Sequence, residues 1–547
     1  MRVRSTALLR AGALLLALAV AARAQAPDVV LVVADDVGIG DVGYLGAEIQ
    51  TPHLDRLAAE GVVLERFYTA SQCTPSRAGL LTGRYGVRMR LNEALSRADT
   101  VGMPAAETTL AEALGDAGYE TAMVGKWHLG GACHQHPTRH GFDTFLGLRY
   151  GGANYHTRQT PEGRDWWRGF ELDERSGYTT DLIADEAVEV LARPRDGPLF
   201  LYLPFTASHV PLQALDEDLA LYPGLDGDRR TFAAMTTRLD RAIGRVMESV
   251  RASGRPTLVW FLSDNGAHTG YGGGSNGALR GNKGEALEGG IRVPSVVWYP
   301  PLGHRSVAHP VWYLDVLPTV LGVAGAAVPE LPLDGVDQGA QLAGAPPPGA
   351  LLDRVLYTYR RTNLQGAAWI AAQTARWKYV REPGLRDTLD ALHRVDLDPA
   401  ERADSSAARP DLFAELRAAA HAFADLTLPG AGNDLTLTDT SVPDLAECAG
   451  ILTTPPGPAP DGLRLRVGPN PARGGTTVRV GPDRTLEVRV DLLDLLGRRV
   501  RTLFVGTVEA GAERVVPIRP GGLPAGVYVV RASTASATAT ARVVLTR

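Results

Sequence analysis

The run Val29-Val30-Leu31-Val32-Val33-Ala34, followed at once by Asp35 and Asp36, is the stretch that decides the fold. An unbroken run of apolar and β-branched residues is typical of a strand that is buried on both faces, as in a parallel sheet. Two carboxylates directly after such a strand would lie at its carboxyl end, where open α/β sheets bind their ligands. We therefore expect a central parallel sheet with a polar site at one edge.

Short apolar runs of the same kind recur along the first 330 residues and alternate with amphipathic segments. Further predicted strands lie at 121–124, 199–204, 257–262 and 293–298. Predicted helices lie between them at 54–59, 108–117, 181–191 and 231–250. This alternation predicts an α/β fold with a mostly parallel central sheet and helices on both of its faces.

The remainder of the chain changes character twice. Residues 331–428 mix strand-like and helical patterns, which predicts a smaller C-terminal α+β subdomain packed on the main sheet. Residues 429–462 are rich in Gly, Pro, Thr and Asp and are typical of an extended linker. From 463 to 547 apolar residues recur at every second position between Gly and Pro turns, which predicts a small all-β sandwich.

The N-terminus has the features of a signal peptide at residues 1–24. Its basic start is followed by an uncharged apolar run at 11–22, and Ala22-Arg23-Ala24 has the small-x-small pattern of a cleavage site. The run is shorter than the roughly 20 residues that span a bilayer. We therefore expect an exported chain that begins near Gln25, with its main α/β domain at 25–330 and no transmembrane segment in the mature form.

Composition excludes some classes of function. The chain has 547 residues, enough for two or three domains, and 56 Lys and Arg against 61 Asp and Glu give a net charge of −5. Such a balance does not favour nucleic-acid binding. Three cysteines do not make a disulfide framework. If Cys73 is used chemically, Cys133 and Cys448 form the one possible internal pair.

Polar clusters follow four of the predicted strands. They are Asp35-Asp36, Lys126 with His128, His209, and Asp264-Asn265. Because the carboxyl ends of parallel strands share one edge, we expect these clusters to form a single site. Asp35, Asp36, Asp264 and Asn265 offer hard oxygen ligands, which suit Ca²⁺ or Mg²⁺ and not zinc. The alternative for either pair alone is a turn that ends its strand.

The segment Cys73-Thr74-Pro75-Ser76-Arg77, with Leu81-Thr82-Gly83-Arg84 after it, resembles the signature of the sulfatase family. Further blocks similar to that family are Gly-Lys-Trp-His-Leu-Gly at 125–130, Ser-Asp-Asn-Gly at 263–266 and Leu-Arg-Gly-Asn-Lys at 279–283. The similarity covers about residues 27–425, and the stretch 137–145 resembles the arylsulfatase B branch. The resemblance implies an alkaline phosphatase-like fold.

The resemblance also implies a cofactor and a modification. A separate formylglycine-generating enzyme would oxidise Cys73 to formylglycine, whose hydrate attacks sulfur and forms a covalent sulfo-enzyme. The second hydroxyl would then lose its proton, so that sulfate is expelled and the aldehyde reforms. Calcium, with magnesium as the alternative that the ligands allow, would be held by Asp35, Asp36, residue 73, Asp264 and Asn265.

The same resemblance assigns roles to the remaining polar residues. Arg77 and Lys126 would stabilise the negative oxygen on residue 73, and His128 would be the base that triggers sulfate release. His209 and Lys283 would bind the sulfate and protonate the leaving alcohol. Each residue alone has an ordinary structural alternative, such as a solvated lysine or a hydrogen-bonded histidine.

The C-terminal segment resembles the sorting domain of type IX secretion. The matching features are Pro469-Asn470-Pro471 and the stretches 492–498, 522–528 and 542–545. This implies passage through the type IX secretion machinery and a secreted or surface-attached protein. The alternative is a generic immunoglobulin-like or carbohydrate-associated module.

Export and the arylsulfatase B-like stretch favour a sulfated poly- or oligosaccharide as the substrate. Two other functions remain open at this point. One is hydrolysis of phosphate or phosphonate esters, which related enzymes of the superfamily perform. The other is non-catalytic glycan binding at the cell surface, which would require that Cys73 is never converted.

Overall fold

A computed structural model of the chain describes residues 26–361, 368–384 and 388–425, and most of 464–546. The gaps in the last stretch are 469–471, 474–475, 483, 494–498, 511, 519–525 and 535–537. The chain divides into two compact units at residues 443 and 444. The predicted signal peptide and linker lie outside the described residues and stay predictions.

None of the helices in the described part of the chain has the length and apolar character of a membrane span.

The first unit is built on a ten-stranded sheet. Its strands are β1 (Asp28–Ala34), β2 (Val62–Leu64), β3 (Glu120–Lys126), β4 (Thr144–Leu148), β5 (Trp167–Arg168), β6 (Glu171–Leu172), β7 (Leu199–Pro204), β8 (Thr257–Ser263), β9 (Ser295–Trp298) and β10 (Arg305–Val307). Across the sheet their order is β10-β2-β9-β8-β1-β7-β3-β4-β5-β6. The five central strands from β8 to β4 are parallel, and antiparallel pairs occur toward both edges. The predicted parallel centre is therefore confirmed within a mixed sheet.

Helices cover both faces of this sheet, as predicted. They are α1 (Pro52–Glu60), α2 (Cys73–Thr82), α3 (Leu110–Asp116), α4 (Thr179–Ala192), α5 (Gly227–Ser253) and α6 (Val316–Ala324). Alternate side chains of β1 enter two separate apolar clusters, which Val29 and Val30 represent. One cluster contains side chains of α2, α3 and α6, and the other contains those of α1, α4 and α5.

Shorter elements complete this layer. Its short α-helices are Asp216–Leu219 and Glu288–Ile291, and two-residue strands at Phe67–Tyr68, Arg292–Val293 and Val311–Trp312 form a small sheet. The predicted strand 293–298 is thus divided between two sheets. Pro294 lies at the break, where a residue without an N–H cannot continue the ladder.

The predicted α+β subdomain contains a four-stranded antiparallel sheet, one long helix and the two short helices Gly339–Leu342 and Gly349–Leu352. The strands are Leu356–Arg361, Ala368–Gln373, Lys378–Glu382 and Leu389–His393, and the long helix is α7 (Pro410–Asp425). Leu416 and Ala420 of α7 pack against Tyr379 and Leu392 of the sheet.

The second unit consists of two sheets. One contains Arg464–Gly468, Thr476–Gly481 and Arg514–Ile518, and the other contains Ala472–Arg473, Leu486–Leu493, Arg499–Val508, Gly526–Ser533 and Thr538–Thr546. Val478 and Val516 of the first sheet share one buried cluster with Val490 and Val530 of the second. This packing is that of a β-sandwich, as the period-two pattern predicts.

Candidate active site

The polar residues that follow β1, β3, β7 and β8 meet at one edge of the parallel strands, as predicted. Main-chain hydrogen bonds join their segments: the Asp35 N–H donates to Ala207 (3.0 Å), Ser208 donates to Asp35 (2.8 Å), and Asp264 donates to Ala34 (3.0 Å). Asp35, Asp36 and Asp264 are all buried. The site is therefore a fixed extension of the sheet.

Two residues of this edge have unusual backbone conformations. Asp36 and His128 lie in the left-handed region, with φ of 63° and 56°. For residues other than glycine this conformation costs on the order of 1–2 kcal/mol, and such residues cluster at functional sites.

Cys73 is the first residue of α2, and every residue of that helix is buried. Its thiol Sγ lies 3.7 Å from Asp35 Oδ1 and 3.4 Å from Lys283 Nζ. Burial raises the pKa of the Cys73 thiol to about 12, against the opposing effect of Lys126 and Lys283. As a cysteine, residue 73 is therefore a protonated thiol at neutral pH and a poor nucleophile.

The cysteines differ in their bonding state. Cys73 is free, whereas Cys133 is disulfide-bonded. Cys448 lies outside the described residues, so its pairing with Cys133 stays a prediction.

Arg77, one turn after Cys73, connects three strand ends. Its Nε and Nη2 donate to Asp264 Oδ2 at 3.0 and 2.8 Å, and Nη1 donates to the carbonyl of Lys126 at 2.8 Å. Nη2 also lies 3.4 Å from Asp35 Oδ2. The guanidinium is fully buried, so these interactions are shielded from water.

Two lysines complete the positive side of the site. Lys126 Nζ donates to Asp35 Oδ2 at 2.5 Å. Lys283 Nζ donates to Asp36 Oδ1, also at 2.5 Å. Burial alone would lower the pKa of Lys283, but Asp36, Cys73 and Asp35 outweigh burial and raise it. Lys283 therefore stays protonated beside residue 73.

The aspartates differ in their affinity for protons. Burial would raise the pKa of Asp35, but Lys126, His209 and Arg77 outweigh it, so the pKa is lowered. Burial and the charge of Asp35 raise the pKa of Asp264 to about 6, despite Arg77. Asp35 is thus ionised at neutral pH, and Asp264 carries the less stable charge.

His128 is arranged as a base. Its Nε2 lies 2.8 Å from the carbonyl oxygen of Leu95, which can only accept, so Nε2 holds the ring proton. Nδ1 is buried and has no partner. Burial, with Lys126 and Arg77, holds the pKa of His128 well below its usual value, and the ring is neutral at pH 7. The Thr74 hydroxyl donates to the His128 carbonyl at 2.9 Å, which places this residue beside position 73.

His209 lies beside Asp36. Its Nδ1 donates to the Val210 carbonyl at 2.6 Å, and Nε2 is 3.9 Å from Asp36 Oδ2. Burial, Lys283 and Lys126 lower the pKa of His209 to about 4. In the absence of a bound anion this ring is neutral, and Lys283 is the protonated donor on that side.

Of the predicted metal ligands, Asp35, Asp36 and Cys73 belong to one group of side chains that could hold a cation. This group also contains His209, which was predicted to bind sulfate, and it does not contain Asp264. One ligand atom each from Asp35, Asp36, Cys73 and His209 lies within 4.8 Å of all the others. The Asn265 amide nitrogen donates to Asp36 Oδ1 at 2.7 Å, while its oxygen Oδ1 is buried without a partner. An orphaned amide oxygen among carboxylates is a donor set typical of calcium and magnesium sites.

Calcium is therefore expected to raise the melting temperature of the protein after chelation. A cation that binds only the folded state adds about 2.7 kcal/mol of stability at a concentration 100 times its Kd. Calorimetry with calcium or magnesium added after EDTA treatment measures the shift. Asp36→Asn should reduce it, and Glu330→Gln, which changes an exposed remote carboxylate, should not. The absence of a shift with either metal would contradict the assignment.

Residues outside the predicted catalytic and metal-binding set also support the site. The Leu95 carbonyl that orients His128 belongs to the main chain, so no motif marks it. Lys378 lies between the buried carboxylates Glu288 and Glu401, at 3.3 and 2.9 Å, and the Glu401 carboxylate accepts from the Glu288 N–H. This network holds the segment after Lys283.

The aromatic residues of the neighbouring loops are mostly structural. Trp127, Tyr155 and Trp166 are buried, and the Tyr155 hydroxyl donates to the Thr206 carbonyl at 2.6 Å. They therefore pack the fold and offer no surface to a substrate.

Comparisons with known proteins agree on one family. The family model described as sulfatase matches residues 27–326. Mouse (Mus musculus) arylsulfatase J is 37% identical over 331 residues, which are 57% of this chain and 55% of that protein. Mouse N-acetylgalactosamine-6-sulfatase is 33% identical over 382 residues, which are 64% of this chain and 72% of that protein.

A solved structure has the same fold. The crystal structure of Ps i-CgsB in complex with k-i-k-neocarrahexaose has a TM-score of 0.68 and 30% sequence identity. The match covers 74% of this chain and 94% of that one.

Proposed function

Because the chain belongs to the sulfatase family of enzymes and has its alkaline phosphatase-like fold, we propose that it hydrolyses a sulfate ester of a poly- or oligosaccharide. The observation that carries this proposal is the position of residue 73. It lies at the start of a buried helix, 3.4 Å from Lys283 Nζ and 3.7 Å from Asp35 Oδ1. A reaction that develops negative charge on oxygen needs such fixed positive groups in a site shielded from water.

Residue 73 acts in this proposal as formylglycine, made from Cys73 by a formylglycine-generating enzyme. Its hydrate supplies the oxygen that receives the sulfuryl group from the substrate. The buried thiol itself is a poor nucleophile at neutral pH, which is a chemical reason for the conversion.

The surrounding residues divide the remaining work. Arg77 and Lys126 hold the carboxylates of Asp264 and Asp35 and place positive charge near residue 73. His128 accepts the proton of the second hydroxyl on residue 73 at its free Nδ1, since the Leu95 carbonyl keeps the ring proton on Nε2. Lys283 contacts the sulfate and gives a proton to the leaving alcohol, and His209 binds the sulfate beside it.

A divalent metal fits the same place: the ligands allow either calcium or magnesium, and the family resemblance favours calcium. Asp35, Asp36, Asp264, Asn265 and residue 73 would hold it. When bound, it supplies further positive charge to the sulfate oxygens.

A saccharide substrate is supported by two relatives. Ps i-CgsB, at 30% identity, was solved with a neocarrahexaose, and mouse N-acetylgalactosamine-6-sulfatase is named for a sugar sulfate.

The stretch 137–145 makes the arylsulfatase B branch our proposal for the subfamily. We further propose that the chain is secreted or attached to the outer surface through the type IX secretion machinery, because its C-terminal motifs resemble the sorting domain of that system. The motif residues 469–471, 494–498 and 522–525 lie outside the described residues.

Mass analysis of the peptide that contains residue 73, from protein made in its native host, tests the mechanism. We expect an aldehyde that a hydrazide reagent traps, and turnover of 4-nitrophenyl sulfate well above that of 4-nitrophenyl phosphate. An unmodified thiol in the exported protein would remove the mechanism and favour a glycan-binding protein. Preference for the phosphate would instead favour an ester hydrolase of the related class.

A further inference from the structure

The loop that connects Asn265 to Lys283 begins and ends in the active site. The Lys283 N–H donates to the Ala267 carbonyl at 3.1 Å, and the Thr269 N–H donates to Asn282 Oδ1 at 2.8 Å. His268 lies between these two contacts. It is therefore held directly alongside the segment that bears Lys283.

Buried side chains anchor the base of this loop. Asn276 accepts from the Ala267 N–H at 2.8 Å and donates to the carbonyls of Ala267 and Gly281 at 3.2 and 3.1 Å. The Ser275 N–H donates to both oxygens of Asp41, which also pairs with Arg229 at 2.5 Å. The loop thus leaves the site from a fixed base.

The loop presents Tyr271 to solvent. Its exposed fraction is 69%, and it is the one aromatic residue classed as exposed in the described part of the chain. The ring centroids of Tyr271 and His268 are 4.2 Å apart. A Cβ on Gly272 would lie 2.5 Å from the His268 carbonyl, so glycine is required for the loop to fold back in this way.

The second ring of this pair is partly enclosed by the protein. His268 is half-buried, and its Nδ1 is shielded without a partner. A single exposed tyrosine needs no explanation by itself, because folded proteins expose many apolar atoms. An exposed tyrosine ring in tilted contact with a half-buried histidine ring, on an anchored loop between two active-site residues, is a more specific arrangement.

We propose that Tyr271 and His268 form a saccharide subsite at the rim of the active site. The apolar C–H face of a sugar ring stacks on an aromatic ring, and its hydroxyls meet polar atoms at the ring edge. In this subsite Tyr271 carries a sugar ring adjacent to the one whose sulfate enters at residue 73, and His268 supports the tyrosine ring. This inference rests on the proposed function and specifies a substrate of more than one sugar.

Binding of two sulfated hexasaccharides, k-i-k-neocarrahexaose and a chondroitin sulfate hexasaccharide, tests the subsite. The full chain carries Cys73→Ala, so that bound saccharide is not consumed. For the hexasaccharide that binds, we expect Tyr271→Ala to raise the Kd about tenfold and Tyr271→Phe to change it by less than about twofold. Val328→Ala, which trims another exposed apolar side chain, serves as the matched control and should leave Kd unchanged.

Two results would overturn the subsite. One is a Kd that does not change when Tyr271→Ala is added to the Cys73→Ala chain, and the other is no binding of either hexasaccharide by the Cys73→Ala chain itself. Turnover of 4-nitrophenyl sulfate by the chain with Cys73 intact separates this failure from that of the proposed function. Turnover without hexasaccharide binding removes the subsite and leaves the sulfatase proposal. Tyr271-dependent binding without turnover of any sulfate ester keeps the subsite and removes the proposed hydrolysis.

Discussion

Cys73→Ala is expected to lower kcat for 4-nitrophenyl sulfate by at least about 10⁴-fold, the scale seen when a covalent nucleophile is removed. Alanine provides neither a thiol for conversion nor an oxygen that could take the sulfuryl group. Lys126, His128 and Lys283 would remain, but no neighbouring side chain can replace residue 73 at the start of α2. Initial rates with equal amounts of folded protein measure the loss.

Folding of the variant is the necessary control. The Cys73 thiol contacts Asp35 and Lys283 only through weak sulfur hydrogen bonds, so the melting temperature should change little. In wild-type preparations, activity should also increase in proportion to the fraction of residue 73 that a hydrazide traps. If the Cys73→Ala chain kept activity within tenfold of wild type, transfer to residue 73 would be wrong.

Most of the sheet and of the site can be predicted from the sequence because both depend on local patterns. The run 29–34 is apolar at every position, and such a run has few stable places other than the middle of a covered parallel sheet. Once that strand and the one at 257–262 are placed side by side, Asp35 and Asp264 must lie at the same edge. Their convergence with Lys126 and His209 therefore follows from topology.

Other features depend on distant pairings that no local pattern specifies. The split of the segment 293–298 between two sheets needs a partner strand at Phe67–Tyr68, more than 200 residues away. The salt bridges of Lys378 join the four-stranded sheet to Glu288, in the segment after Lys283, and to Glu401. The role proposed for Tyr271 likewise cannot be predicted from the sequence, because it depends on how the loop folds back on His268.

Arg77→Ala is expected to destabilise the protein by about 3–5 kcal/mol at pH 8, the cost of leaving a buried charge without its partner. Asp264 would lose both of its guanidinium hydrogen bonds, and the Lys126 carbonyl would lose its donor. We expect kcat to fall on the order of 10²–10³-fold as well, since a positive group beside residue 73 is lost. Denaturant unfolding and initial rates provide the two measurements.

Dependence on pH separates lost charge from lost packing in this variant. The folded pKa of Asp264 is about 6, above its usual 3.8, and removal of Arg77 should raise it further. The folded state then holds a proton more tightly than the unfolded state, so this residue's contribution to stability falls as pH rises through that interval. The loss caused by Arg77→Ala should therefore be smaller at pH 5 than at pH 8.

Two control substitutions sharpen the interpretation. Arg77→Lys restores a charge but cannot contact Asp264 and the Lys126 carbonyl together, so it should recover part of the stability and less of the activity. Arg56→Ala removes an exposed arginine and should cost no more than about 1 kcal/mol. Equal losses for Arg77→Ala at pH 5 and pH 8 would assign the cost to packing, because protonation of Asp264 relieves an unpaired charge but cannot fill the space that the guanidinium leaves.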